Sequence, residues 1–278
     1  MKEGMRSQGA FEYILLLGGV LLIVVVAVII LRGSVLNQSN QQIGGNVNVY
    51  TFLTCIPQYI AKPGSVIAHW KFDEGSGNVA KDSSPAKRNG RLCNFNYDSS
   101  SGWVSGKNGN ALRFDGSNDF ISGDCGPTGI NLPLSALTPN QLTITAWIRT
   151  TSTATQDIIT KNGPFFFSIA NGRAGNPWNA IWRPGEWTGV QGTSNIATGE
   201  WTHIAMVYYS PGSVKIYVNG NLEATAPKIG NLDGDGCVEI GRGNNFICGS
   251  GGQTSELFNG ALDDLVVYNR SLSQNEIC

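Results

Sequence analysis

Residues 13 to 31 read YILLLGGVLLIVVVAVIIL, an apolar run without a single charge. At ~1.5 Å of rise per residue, a helix of this length crosses the ~30 Å hydrocarbon layer of a bilayer. Lys2 and Arg6 precede it, so the positive-inside rule keeps the short N-terminus in the cytoplasm and sends the chain after Arg32 outward. A secretory signal would be shorter and followed by small residues at a cleavage site. Arg32-Gly33-Ser34-Val35 offers no such pattern, so the run is expected to stay on the protein as a membrane anchor.

The residues ahead of the run, Arg6-Ser7-Gln8-Gly9-Ala10-Phe11-Glu12-Tyr13, closely resemble the class III signal peptide of archaeal type IV pilins. The resemblance implies that a prepilin peptidase cuts between Ser7 and Gln8 and leaves the apolar helix on the mature protein. It also implies that Glu12, the acid within an otherwise apolar helix, pairs with the freed amine of Gln8 on a neighbouring subunit during assembly. Physics alone requires some reason for Glu12, because a carboxylate at the start of a spanning helix is costly unless it stays interfacial or finds a partner. The alternative is a Glu reaching the headgroups in an uncleaved, monomeric signal anchor. The expected divisions are a leader over 1–7, a pilin-type helix over 8–36, a stalk over 37–54 rich in Asn, Gln and Gly, and a globular domain over 55–278. The expected partners are the membrane, the peptidase, and further copies or other pilins. The chain would pass from the cytoplasmic membrane into a surface filament with its C-terminal domain outside.

Beyond the stalk the pattern changes to alternating apolar and polar residues between Gly, Asn, Pro and Asp. Examples are VIAHWKF from Val66, ALRF from Ala111 and LTITAWI from Leu142; Trp201 to Tyr209, Val214 to Val218 and Ala261 to Tyr268 follow. Asn219-Gly220 marks a tight hairpin, and no helix is signalled. The class is all-β, a sandwich. With 14% charged residues and a net charge of −1, no basic field exists to hold nucleic acid. The succession HWKFDEGSGNVAKDSS, GNALRFDGSNDFIS, LTITAWIR, GEWTHIAMVY, VKIYVNG and ALDDLVVYNRSLSQNEI resembles that of LamG-like, concanavalin-A-like domains. The resemblance covers Val66 to Ile277 and implies a jelly-roll sandwich built for glycan recognition and adhesion.

Domains of that kind often hold one structural calcium, for which Asp73 and Asp264 are the candidates. Adjacent strand residues face opposite ways, so only one of Asp263 and Asp264 is expected to point at the ion. The competing reading is that these acids cap turns. Asp115-Gly116-Ser117-Asn118-Asp119 reads as a hairpin turn. Trp178, Trp182 and Trp187 lie close together amid turn residues, with Asn179, Arg183 and Glu186 available to bond hydroxyls. Exposed, they form a sugar platform; buried, they fill the core. Trp70, Trp147 and Trp201 read as core.

His69 and His203 lie inside strand patterns without a nucleophile or carboxylate pair beside them, and the Glu-x-Asp-x-x-Glu strand of superfamily glucanases is absent. A binding protein rather than a hydrolase is expected, with an anchored glycosidase as the rival. Six dispersed cysteines in an exported chain read as disulfides, of which fifteen pairings are possible. The preferred set is Cys237 with Cys248, Cys55 with Cys278, and Cys93 with Cys125. Asn37 and Asn269 head glycosylation sequons.

Overall fold

The computed structural model describes residues 64–277 except 127, 138–139, 162–164, 170–174, 184–185, 229, 233–236 and 244–255. Ser7, Gln8, Glu12, Asn37, the apolar run and the stalk all lie outside the described residues. Among those described, no helix is long and apolar enough to cross a membrane.

The described chain is all-β, with only two 3-10 turns beside its strands. One sheet contains β1 (Val66–Trp70), β4 (Gly102–Ser105), β5 (Asn110–Asp115), β7 (Gln141–Arg149), β12 (Thr202–Tyr209), β13 (Gly212–Val218), β14 (Asn221–Lys228) and β16 (Asn259–Tyr268). Its order is β14-β13-β12-β7-β16-β5-β4, with β1 also paired to β16. The second sheet contains β2 (Val79–Ala80), β3 (Gly90–Cys93), β6 (Phe120–Ser122), β8 (Gln156–Lys161), β9 (Phe165–Ile169), β10 (Pro177–Arg183), β11 (Glu186–Gln191) and β15 (Val238–Ile240). Its order is β11-β10-β9-β8-β15-β6-β3-β2. Sequential strands are often not neighbours, so the connections cross between sheets as in a Greek-key sandwich.

The alternation read in the sequence explains the packing. Ile144, Ile148, Ile204, Met206 and Leu262 from the first sheet meet Phe165, Phe167, Ile169 and Ile240 from the second in one buried apolar cluster. Phe114 stands edge-on to Phe95 at 5.1 Å and to Phe258 at 5.6 Å. The opposite face of the first sheet is covered too. Ala205, Val207, Tyr217, Val266 and Tyr268 pack there with Leu272 and Ile277 from the segment after β16.

Several expectations need correction. The Asp115 to Asp119 stretch is no hairpin: it joins β5 in one sheet to β6 in the other, and Asp115 accepts hydrogen bonds from the amides of Ser117 (2.7 Å) and Asn118 (3.2 Å) to turn the corner. Trp201 is only half-buried, under the Arg149 guanidinium at 4.9 Å, because it precedes the ladder of β12 rather than entering it. Trp70 and Trp147 are buried. The Asn219-Gly220 turn joins β13 to β14 with left-handed φ values of 49° and 77°, the conformation this dipeptide favours.

Candidate functional site

The indole segment is a pair of strands rather than a loop. β10 and β11 run antiparallel, with Trp182 opposite Trp187 and Arg183 opposite Glu186. Trp178 stands between Ser168 of β9 and Gln191 of β11, and Ser168 in turn faces Asp157 of β8. Cross-strand partners share a face, so Gln191, Trp178, Ser168 and Asp157 form one row across four strands on the face away from the core. Trp178 is half-buried, and its indole lies across Gly189, where a Cβ would meet the Trp178 Nε1 at 2.9 Å. Only a residue without a side chain lets the ring lie that close to the sheet. Asn179 is not available to a ligand. It pairs in register with Phe167 and Val190, is fully buried, and alternation turns it to the core side.

A buried acid that sequence reading missed ends the row. Asp157 accepts a short hydrogen bond from the Ser168 hydroxyl, while its Oδ2 is buried with no donor to accept from. The Glu256 carboxyl faces it, and a Cβ on Gly243 would sit 2.6 Å from Asp157 Oδ2 and 3.1 Å from Glu256 Oε2. Burial above all, and then the neighbouring Glu256 carboxylate, push the Asp157 pKa well up. The two carboxyls interact directly. Nothing in the sequence brings position 157 to position 256, since β8 and the segment before β16 meet only in the folded sheet.

The terminal strands gather the second set of acids. One edge of β16 pairs with β5 through residues 259–262 and with β1 through residues 265–268. At the handover alternation breaks, with Asp264 taking a left-handed φ of 47°. Both carboxylates therefore reach the β4–β5 turn, against the expectation that only one can. Asp263 Oδ2 accepts from the amides of Lys107 (2.7 Å) and Asn108 (2.9 Å). Asp264 accepts from Asn108 Nδ2 (2.9 Å) and hydrogen-bonds His69 Nε2 (3.0 Å). Asp73 Oδ1 accepts from the Asn110 amide (3.0 Å), and a Cβ on Gly109 would lie 2.2 Å from it. These acids do cap a turn. One oxygen is left over, because Asp263 Oδ1 is buried without a partner, and burial with the Asp264 and Asp73 charges raises the Asp263 pKa to about 7. Asp264 goes down, because its hydrogen bonds to His69 and Asn108 outweigh the desolvation that would raise it. Among the described residues, no three His, Cys, Asp or Glu side chains close on one point as a metal cage.

Cys93 and Cys125 are bonded, with Cα atoms 5.5 Å apart. Cys237 is also in a disulfide; Cys248, Cys55 and Cys278 lie outside the described residues. Asn269 follows β16 half-buried, its amide donating to the Ser65 carbonyl (3.0 Å).

Two packed antiparallel sheets, one with a sealed outer face and one with a polar row carrying a half-exposed indole, define a lectin-type sandwich. The chain belongs to the concanavalin A-like lectin/glucanases superfamily, whose laminin G-type family model matches residues 124–278. Domain 4 of AbnA, an extracellular GH43 arabinanase from Geobacillus stearothermophilus solved with arabinotriose, shares the fold at a TM-score of 0.56 and 22% identity, over 76% of this chain and 96% of that one. The binding domain of Paraclostridial Mosquitocidal Protein 1 does so at 0.55 and 15% identity, over 76% and 50%. A stretch of 79 residues is 33% identical to human adhesion G-protein coupled receptor D1, spanning 28% of this chain and 8% of that protein.

Proposed function

We propose that this chain is an exported surface subunit whose sandwich binds a glycan or glycan-bearing cell-surface ligand, and whose N-terminal segment anchors it and assembles it in the manner of a pilin. The observation that carries the binding reading is the Trp178 row. A half-exposed indole beside the partly exposed Gln191 offers a pyranose an apolar face with a polar side chain at its edge. Arabinotriose in the AbnA domain and the adhesion receptor likeness are consistent with such a role. Retention of the full-length protein on a polysaccharide panel should fall at least tenfold in Trp178→Ala with little change in melting temperature. Retention equal to wild type would refute the Trp178 site.

The assembly reading rests on Gln8, Glu12 and the apolar run. N-terminal sequencing should find mature protein beginning at Gln8, and Glu12→Ala should insert in the membrane yet fail to enter filaments. Protein that keeps residues 1–7 in the membrane would instead be the uncleaved, monomeric anchor. Calcium belongs to the same proposal. Asp73 and Asp264 would be its carboxylate ligands, with backbone carbonyls and water supplying the remaining oxygens, because the described acids of the turn do not by themselves close into a cage.

A further inference from the structure

A second aromatic feature lies away from the Trp178 row, at the edge of the first sheet. Gly75, Ser76, Gly77, Tyr97, Asp98 and Trp103 line a cleft of about 290 Å³ between the loop after β1 and the loop leading into the edge strand β4. Tyr97 is 49% exposed, and among the described aromatic side chains only Tyr209, at 46%, is comparably open. Its backbone has a left-handed φ of 58°, rare for a bulky residue, and its Cα lies 3.0 Å from where a Cβ on Gly102 would stand. Such strain persists where surrounding structure enforces it, and it concentrates at binding sites.

The walls are fixed. Trp103 donates from Nε1 to the Gly77 carbonyl at 2.9 Å, which ties the indole across the cleft from Tyr97. The Tyr97 ring leans on Phe95, with centroids 6.4 Å apart. Asp98 Oδ1 accepts from the Ser100 amide (2.7 Å), the Ser100 hydroxyl (2.5 Å) and the Ser101 amide (3.4 Å). Led by the Ser100 hydroxyl, those bonds hold the Asp98 carboxyl below its ordinary range, so it is ionised at neutral pH. Its Oδ2 takes no hydrogen bond among the described residues.

We propose that this cleft is a carbohydrate subsite for one neutral pyranose residue, stacked on Tyr97 against Trp103 with a pair of ring hydroxyls donating to Asp98 Oδ2. Aromatic faces pack on the C–H face of a sugar, and a carboxylate held by backbone amides is a ready acceptor for vicinal hydroxyls. The volume lies just under the ~300–1,000 Å³ of drug-sized sites, which suits a single ring. The fixed negative charge disfavours uronic and sialic acids, whose carboxylates would meet Asp98. The inference shares the glycan-binding reading of the domain but uses none of the Trp178 row.

The test is saturation-transfer NMR on the full-length protein in detergent, with methyl glycosides of glucose, galactose, mannose, xylose and N-acetylglucosamine, and of glucuronic acid as the acidic probe. At least one neutral glycoside should bind, and the acidic one at least fivefold more weakly. Tyr97→Ala should lower binding at least tenfold, Tyr97→Phe should retain it, and Asp98→Asn should lower it about fivefold, all with melting temperatures near wild type. Trp178→Ala should leave it unchanged. If no neutral glycoside binds, or if Tyr97→Ala and Asp98→Asn bind as wild type, the subsite does not exist. Monosaccharide binding lost only in Trp178→Ala would overturn it while leaving the row on the second sheet intact. Loss only in the Tyr97 and Asp98 variants would support the subsite, and polysaccharide retention in Trp178→Ala tests the row on the second sheet separately.

Discussion

The two sheets share one core but differ on their outer faces. The first sheet is sealed, because Leu272 and Ile277 from the segment after β16 cover Ala205, Val207, Val266 and Tyr268. The outer face of the second sheet carries Gln191, Trp178, Ser168 and Asp157 in one row, with Thr160 opposite Glu239 in another and Arg242 paired to Glu239 at 2.5 and 2.8 Å. A sheet covered by apolar segments of its own chain has no surface left to recognise anything with; on the second sheet Asp157, Ser168, Thr160 and Glu239 are buried as well, and only Trp178 and Gln191, at the β10–β11 end, are partly exposed. Recognition is therefore expected on the second sheet and at the loops of the first, and not on the first sheet's face.

The largest test of that contrast pairs one side chain from each face. Leu272→Ala should cost ~2–5 kcal/mol by opening the seal, and Trp178→Ala less than ~1 kcal/mol because its ring is half in solvent. Chemical denaturation measures both, and a Trp178 loss as large as that of Leu272 would return the indole to a packing role. An intermediate effect is expected from Asp157→Asn. An amide in place of the buried carboxyl carries no charge to desolvate, so stability should rise by about 1–3 kcal/mol at pH 8. The raised pKa of Asp157 means that the wild-type penalty grows as pH rises above the unfolded carboxylate value, so the gain should shrink towards pH 4.5. A gain independent of pH would show that the Asp157 pKa is not raised in the folded protein.

The last test concerns Asp263, on the sealed sheet. Its folded pKa of about 7 lies above the unfolded value near ~3.9, so the folded state holds the extra proton between them. Stability from this group is full below ~4 and is lost as pH climbs towards about 7. With chelator, the melting temperature should drift down across that window, with a loss of at most the ~4 kcal/mol to which a shift from ~3.9 to about 7 corresponds. Calcium should remove the drift by favouring the ionised carboxylate, and Asp263→Asn should abolish both the drift and the calcium response. A chelator curve superimposed on the calcium curve in wild type would exclude an ion at the turn.

Sequence and fold agree most closely where one residue's neighbours along the chain decide its fate. Alternation at 142–148 and 261–268 is visible because strand side chains repeat every two residues, and Asn219-Gly220 turns as the dipeptide alone would. The apolar run at 13–31 and the acid at Glu12 are local signals too, but they lie outside the described residues. Composition excluded nucleic acid for the same reason, since a net charge needs no structure to be counted.

Pairings between distant segments are a different matter. Asp263 and Asp264 serve one turn only because β16 passes from β5 to β1 between them, and no strand pattern announces where an edge changes partner. Asn179 is a plausible sugar ligand in the sequence and a core residue in the sheet, and the register with Phe167 and Val190 settles which. Asp157 and Glu256, like Tyr97 and Trp103, meet through loops whose closure depends on the whole sandwich. Local preference is written residue by residue, but a site is made of contacts between residues far apart in the chain, and only the packed tertiary structure chooses among the many that the same sequence permits.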